Sequence, residues 1–244
     1  MKAAVADLAR LPGVWRGGEL ERVVHEVAAT GHAALDRELP GGGWPLGTLS
    51  EVLHDGVGIG EVRFLFGALA RAGEGERMVA WINAPHLPYA PALAQGGIAL
   101  ERCMVVRPAT REDAMWAAEQ ALRSGACGAV MLWLESSLPG ERRARGDEYA
   151  WLRRLQMAAQ AGRSMAVLFR STAAEASSTP AHLRVVLTRE EGELMLRIPK
   201  RRGPPLAAPI VLEPPVARPR ATAPSPAPVL VPVDSPRALP RIAA

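Results

Sequence analysis

Short apolar runs alternate with stretches of helical period over the first two hundred residues of the chain. Residues 19–29 carry Leu20, Val23, Val24 and Val27 at helical spacing, and the glycine- and proline-rich stretch 40–47 then marks a turn. Residues 49–53 read as a short strand. Residues 61–71 place Phe64, Leu65, Ala68 and Leu69 on one helical face. The alternation continues with a strand over 78–83, a helix over 89–95 entered through Pro88, and a strand over 103–106. A helix over 111–123 carries Ala114, Met115, Ala118 and Leu122 on one face; a strand over 129–134, a helix over 148–161 and a strand over 165–169 follow. Residues 183–188 and 194–198 read as two antiparallel edge strands joined through Glu191-Gly192. Apolar strands that do not alternate with polar residues, each followed by a helix, predict an α/β fold: a mostly parallel sheet with helices on both faces and antiparallel edge strands.

The pattern stops at Gly203. Of 22 prolines, 12 fall in the last 42 residues, so 203–244 reads as a disordered, proline-rich C-terminal tail in which Val229, Leu230 and Val231 are a candidate docking patch. The expected organisation is an N-terminal helical segment over 1–30, one core over 31–202 and that tail. A chain of 244 residues, 48% hydrophobic, suffices for one such core. Net charge is +4 and comes almost wholly from arginine, since Lys2 and Lys200 are the only lysines; this is too small an excess to indicate nucleic-acid binding alone. Cys103 and Cys127 have no metal or disulfide spacing, and no apolar run has the length of a membrane span or a signal sequence, which together point to the cytoplasm.

The chemistry concentrates in residues 54–62, His-Asp-Gly-Val-Gly-Ile-Gly-Glu-Val. A strand, a glycine-rich loop with Gly56, Gly58 and Gly60, and a helix start are the layout of a phosphate-binding loop. Lysine and then serine or threonine belong after the last glycine of such a loop, but this chain has Glu61 and Val62. A lysine about 4 Å from a phosphate oxygen attracts by roughly 4 kcal/mol at an effective dielectric near 20, and a carboxylate there repels by a similar amount. Val62 has no hydroxyl for Mg²⁺. Glu61 is itself an anion able to satisfy the amides of the loop. An ordinary glycine-rich βα turn accounts for the string equally well.

Longer motifs narrow the choice. Residues 30–47, Thr-Gly-His-Ala-Ala-Leu-Asp-Arg-Glu-Leu-Pro-Gly-Gly-Gly-Trp-Pro-Leu-Gly, resemble the run that precedes the phosphate loop in the RecA recombinase family. Residues 83–98 resemble that family's second strand and helix, and residues 123–133 its approach to the Mg²⁺-positioning aspartate. Trp15-Arg-Gly-Gly18, residues 39–45, Gly58-Ile-Gly-Glu61, residues 85–91 and residues 116–125 further resemble the ImuA family, RecA-like and SulA-related accessory proteins encoded with a damage-induced mutagenesis cassette. The resemblance covers about residues 15–200. It implies a RecA-like core in which the phosphate-loop lysine is replaced by Glu61, the general-base glutamate by Pro85 and the metal-positioning aspartate by Trp133. Proline accepts no proton and tryptophan binds no Mg²⁺. The expectation is a pseudo-ATPase without cofactor or metal. Its implied partners are RecA and the cassette's Y-family-like polymerase, with weak single-stranded DNA contact besides.

Candidate contact residues are Arg142, Arg143 and Arg145, continuing into Arg153 and Arg154 among Tyr149 and Trp151, and Arg201 with Arg202 at the end of the core. Positive charge interleaved with aromatics suits single strands, and it suits acidic protein surfaces as well. The stretch 171–179 is small and polar, with nothing to stack on or clamp a strand. Glu135, two residues beyond Trp133, is a weaker candidate for metal binding, and neither His86 nor any serine falls in a hydrolase pattern.

Overall fold

The computed structural model describes residues 26–56, 58–134, 148–203, 206 and 208–212. Its centre is an eight-stranded sheet in the order β10-β9-β8-β3-β7-β6-β4-β5. The strands are β3 (Thr48–Leu53), β4 (Met78–Ile82), β5 (Cys103–Val106), β6 (Cys127–Trp133), β7 (Met165–Arg170), β8 (Leu183–Glu190), β9 (Glu193–Lys200) and β10 (Ile210–Leu212). β3 to β8 pair in parallel, and β9 and β10 are antiparallel additions on one side. A two-stranded ribbon, β1 (Val27–Ala28) with β2 (Trp44–Pro45), leads into the sheet.

Strand pleating sends alternate side chains to opposite faces, and each face builds its own core. Met165, Val167 and Phe169 of β7 join Ala129, Met131 and Trp133 of β6 under α1 (Ala33–Glu38), α2 (Phe66–Ala72) and α3 (Ala90–Gln95). Ala166 and Leu168 join Val130 and Leu132 under α4 (Arg111–Arg123) and α5 (Glu148–Gly162). The two inner strands, buried at every position, need no polar alternation. No helix among the described residues is long and apolar enough to cross a membrane.

The entry motif has a clear mechanical task. Asp36 Oδ1 accepts from Thr30 N (2.9 Å) and Thr30 Oγ1 (2.8 Å), which locks α1 over the preceding turn and seats Leu35 in the core. The turn then lies directly on α2, where a Cβ on Gly67 would stand 2.1 Å from the Thr30 carbonyl oxygen.

Several sequence expectations change. Residues 19–25 lie outside the described part, and Val27–Ala28 pair with Trp44–Pro45, so the expected helix does not reach Ala29. The helix expected from Glu61 begins as a 3-10 turn at Arg63–Leu65 and becomes α-helical at Phe66, because Glu61 is held by the loop. The antiparallel pair 183–190/193–200 forms as expected, but neither strand is the edge: β8 lies inside the sheet, parallel to β3, and β10 closes that side. Ordered structure therefore continues past the expected boundary at 203, since Ile210–Leu212 pair with Leu194–Leu196 and Leu212 is buried. The short run Ile-Val-Leu sits between prolines, and its place depends on an open β9 edge that no local pattern reveals. The patch 229–231 lies outside the described residues.

Candidate functional site

β3 is a central strand, and the glycine loop leaves its C-terminal end, the end at which open α/β sheets bind ligands. Gly56, Gly58 and Gly60 all take positive φ (84°, 80° and 101°), a backbone conformation that side chains disfavour and that shapes the loop. The carboxylate of Glu61 lies within it. Its Oε2 accepts from Gly60 N–H at 3.1 Å and its Oε1 from Gly58 N–H at 3.4 Å, and the residue is only 8% exposed. Val62 is half-buried against the core of the α2 face. Two outside contacts hold the loop: Arg189 Nη1 of β8 donates to Ile59 O at 3.1 Å, and Asp55 accepts from the Thr172 amide (3.1 Å) and hydroxyl. Those Thr172 bonds lower the pKa of the Asp55 carboxyl.

Beside the loop, an aromatic column crosses the strand ends. Trp133, the last residue of β6, stacks on Phe169 of β7 with centroids 4.4 Å apart and planes within 4°, and on Trp81 of β4 at 6.1 Å. His54, just before the loop, meets Phe169 edge-on at 6.0 Å. All four are buried. His54 Nδ1 lies 2.8 Å from Gly56 O, which as a carbonyl can only accept, so Nδ1 carries the proton. Among the described residues, His54 Nε2 and the indole nitrogen of Trp133 have no hydrogen-bond partner. At the β4 end, Asn83 has φ of 55° and donates from Nδ2 to Trp133 O at 2.8 Å, while Pro85 is exposed on the loop that follows. Glu61, Trp133 and Pro85 thus all sit at the same end of the sheet, Glu61 and Trp133 turned into the protein and Pro85 out of it.

On the opposite face the strands carry charge inside the core. Glu51 of β3, fully buried, accepts from Arg184 Nε (2.6 Å) and Arg170 Nη1 (3.0 Å); Arg170 also reaches Glu148 (3.0 Å), which binds Arg111 (2.8 Å). Arg184 Nη1 donates to the carbonyls of Glu175 and Ser177, and Glu175 forms a two-pronged pair with Arg197 that lowers its pKa. Lys200 Nζ donates to Thr179 O. The small polar stretch 171–179 is therefore fastened down onto the sheet. Periodicity does not single out Glu51, although a glutamate inside a strand, with arginines near the ends of two others, is the signal of a buried pair.

The arginine candidates do not form one surface. Arg142, Arg143 and Arg145 lie outside the described residues, as does Glu135. Arg153 is exposed on α5, whereas Arg154 pairs with the buried Glu119 and lies over the Trp151 ring at 4.4 Å. Arg201 binds the backbone and carboxylate of Glu38 on α1, on the other side of the sheet from α5, and Arg202 beside it is exposed.

The structure is an α/β protein with a glycine-rich loop at the C-terminal end of a central strand. Two groups of known proteins share its sequence. It is 38% identical over 100 residues to the cell division inhibitor SulA of Edwardsiella piscicida, an alignment covering 41% of this chain and 54% of that one. It is 28% identical over 167 residues to protein RecA of Thermus aquaticus (66% and 48%) and 30% identical over 137 residues to protein RecA of Leifsonia xyli subsp. xyli (54% and 38%). The chain spans about half the length, or less, of these curated relatives. No family model matches it. Its sequence is similar to those of RecA and SulA over these stretches.

Proposed function

We propose that the chain is a non-catalytic, RecA-like accessory protein of the DNA-damage (SOS) response and of error-prone translesion synthesis, of the ImuA kind. It works by contact with RecA and with the Y-family-like polymerase partner of the mutagenesis cassette, and any grip on single-stranded DNA is secondary. One observation carries this reading: the carboxylate of Glu61 lies among the loop amides that would otherwise meet a phosphate. Trp133, stacked between Trp81 and Phe169, supports it, because an indole in that column has no electron pair to offer Mg²⁺. A RecA-like body that does not cycle with ATP can join or cap a RecA filament and hold the polymerase there.

The test uses purified full-length chain. ATP hydrolysis should be indistinguishable from the buffer blank, and the chain should alter RecA filament growth on single-stranded DNA or retain the polymerase partner on a column. Measurable phosphate release, or no effect on either partner, overturns the proposal. The match to SulA favours a second reading, inhibition of cell division through the tubulin-like division protein. Co-sedimentation with that polymer separates the two.

A further inference from the structure

The glycine loop combines two features that a vacated phosphate loop would not need to keep. Its three glycines take positive φ, and the amides of Gly58 and Gly60 both point at one acceptor, as in an anion-binding nest. A carboxylate from the chain itself takes two of those amides, Gly58 and Gly60, and is sequestered from solvent in doing so. In the column beside the loop, the buried His54 Nε2 and Trp133 Nε1 have no hydrogen-bond partner among the described residues. The loop itself is braced from outside, by Arg189 on Ile59 and by Thr172 on Asp55, so its shape does not depend on Glu61 alone.

We propose that the loop is a self-occupied anion site: the Glu61 carboxylate serves as its resident anion and keeps phosphates off the amides of Gly58 and Gly60. The contact is autoinhibitory, and the ligand class it excludes is the di- or triphosphate of a nucleotide, for which inorganic pyrophosphate is the simplest probe. This rests on the non-catalytic reading above and adds a cause: phosphate is shut out by occupancy, not by collapse of the loop. Two anions cannot share one nest, since their repulsion at close range in a partly buried site is as strong as the attraction a lysine would supply. Removing the carboxylate leaves the amides and their bracing in place.

Pyrophosphate is titrated by calorimetry into full-length wild type, Glu61→Ala and Glu61→Gln. The alanine variant should bind at least tenfold more tightly than wild type, with affinity falling as salt rises, and the neutral glutamine should fall between the two. A second measurement needs no variant to fold. In the wild type, pyrophosphate should leave the amide resonances of Gly58 and Gly60 where they are, because the Glu61 carboxylate already holds those amides. A folded Glu61→Ala protein that binds no better than wild type overturns the proposal, as does pyrophosphate that moves those two resonances in the wild type. ATP hydrolysis by the wild type would instead sink the non-catalytic reading, so the two failures are told apart.

Discussion

Individual side chains in this protein are decided by what they meet inside it. Glu51 is the clearest case: a fully buried carboxylate shared by two buried arginines. Burying the three charges is expensive, and breaking the set leaves uncompensated charge, so Glu51→Gln should destabilise the fold by ~3–5 kcal/mol. Urea unfolding followed by far-UV circular dichroism measures it, and a loss under about 1 kcal/mol would mean water reaches the cluster. His32 offers a pH signature. Burial holds its imidazole below the ordinary histidine pKa, with the Asp36 carboxylate pulling the other way. As pH falls through about 6.5 the unfolded chain takes the proton before the folded one does, so this residue's contribution makes stability decline below that pH. His32→Gln should flatten the change in urea midpoint between pH 7.5 and 5.5, and an unchanged slope would assign the effect elsewhere.

Whole elements are placed by close backbone contact as much as by apolar faces. α2 can lie on the Thr30 turn because Gly67 has no side chain, and a methyl group there would meet the Thr30 carbonyl oxygen 2.1 Å away. Gly67→Ala should therefore lower the melting temperature despite alanine's better helix propensity. Gly75→Ala is the informative partner, because a Cβ there meets no neighbour within 4 Å and only the positive φ of 72° opposes it. The first variant should lose clearly more stability, and equal losses would show that helix and turn move apart at small cost. The sequence was legible at this level. All six parallel strands and the long helices stand within two residues of their periodic signals, most plainly β6 and β7, whose burial on both faces leaves a nearly uninterrupted apolar run. The start of α2 was not, because Glu61 has helical propensity and is nonetheless claimed by the loop before it.

Across the whole molecule the sheet sets the limits of the folded unit. Ile210–Leu212 extend it by an eighth strand and bury Leu212 beside α1 and β9. A chain ending at residue 212 should melt at a higher temperature than one ending at residue 202, which loses that strand and leaves the β9 edge bare. Equal melting temperatures would mean that β10 contributes nothing to stability. The same assembly explains why the arginine candidates read as one group in sequence and separate in space: α5 lies on one face of the sheet and α1, with Arg201, on the other.

The sequence alone determined the α/β class, the positions of most strands and helices, and a glycine loop followed directly by glutamate. Those are local properties, written in spacings of two to four residues and in the chemistry of single side chains. Tertiary structure decided the rest: the order of the strands, the stack of Trp133 between Trp81 and Phe169, and the pairing of Glu51 with arginines 119 and 133 positions away. It also decided that Glu61, free by sequence to face water, turns back onto the amides of its own loop. Such contacts join segments far apart in the chain or depend on how a loop coils in three dimensions, and no short-range pattern encodes them.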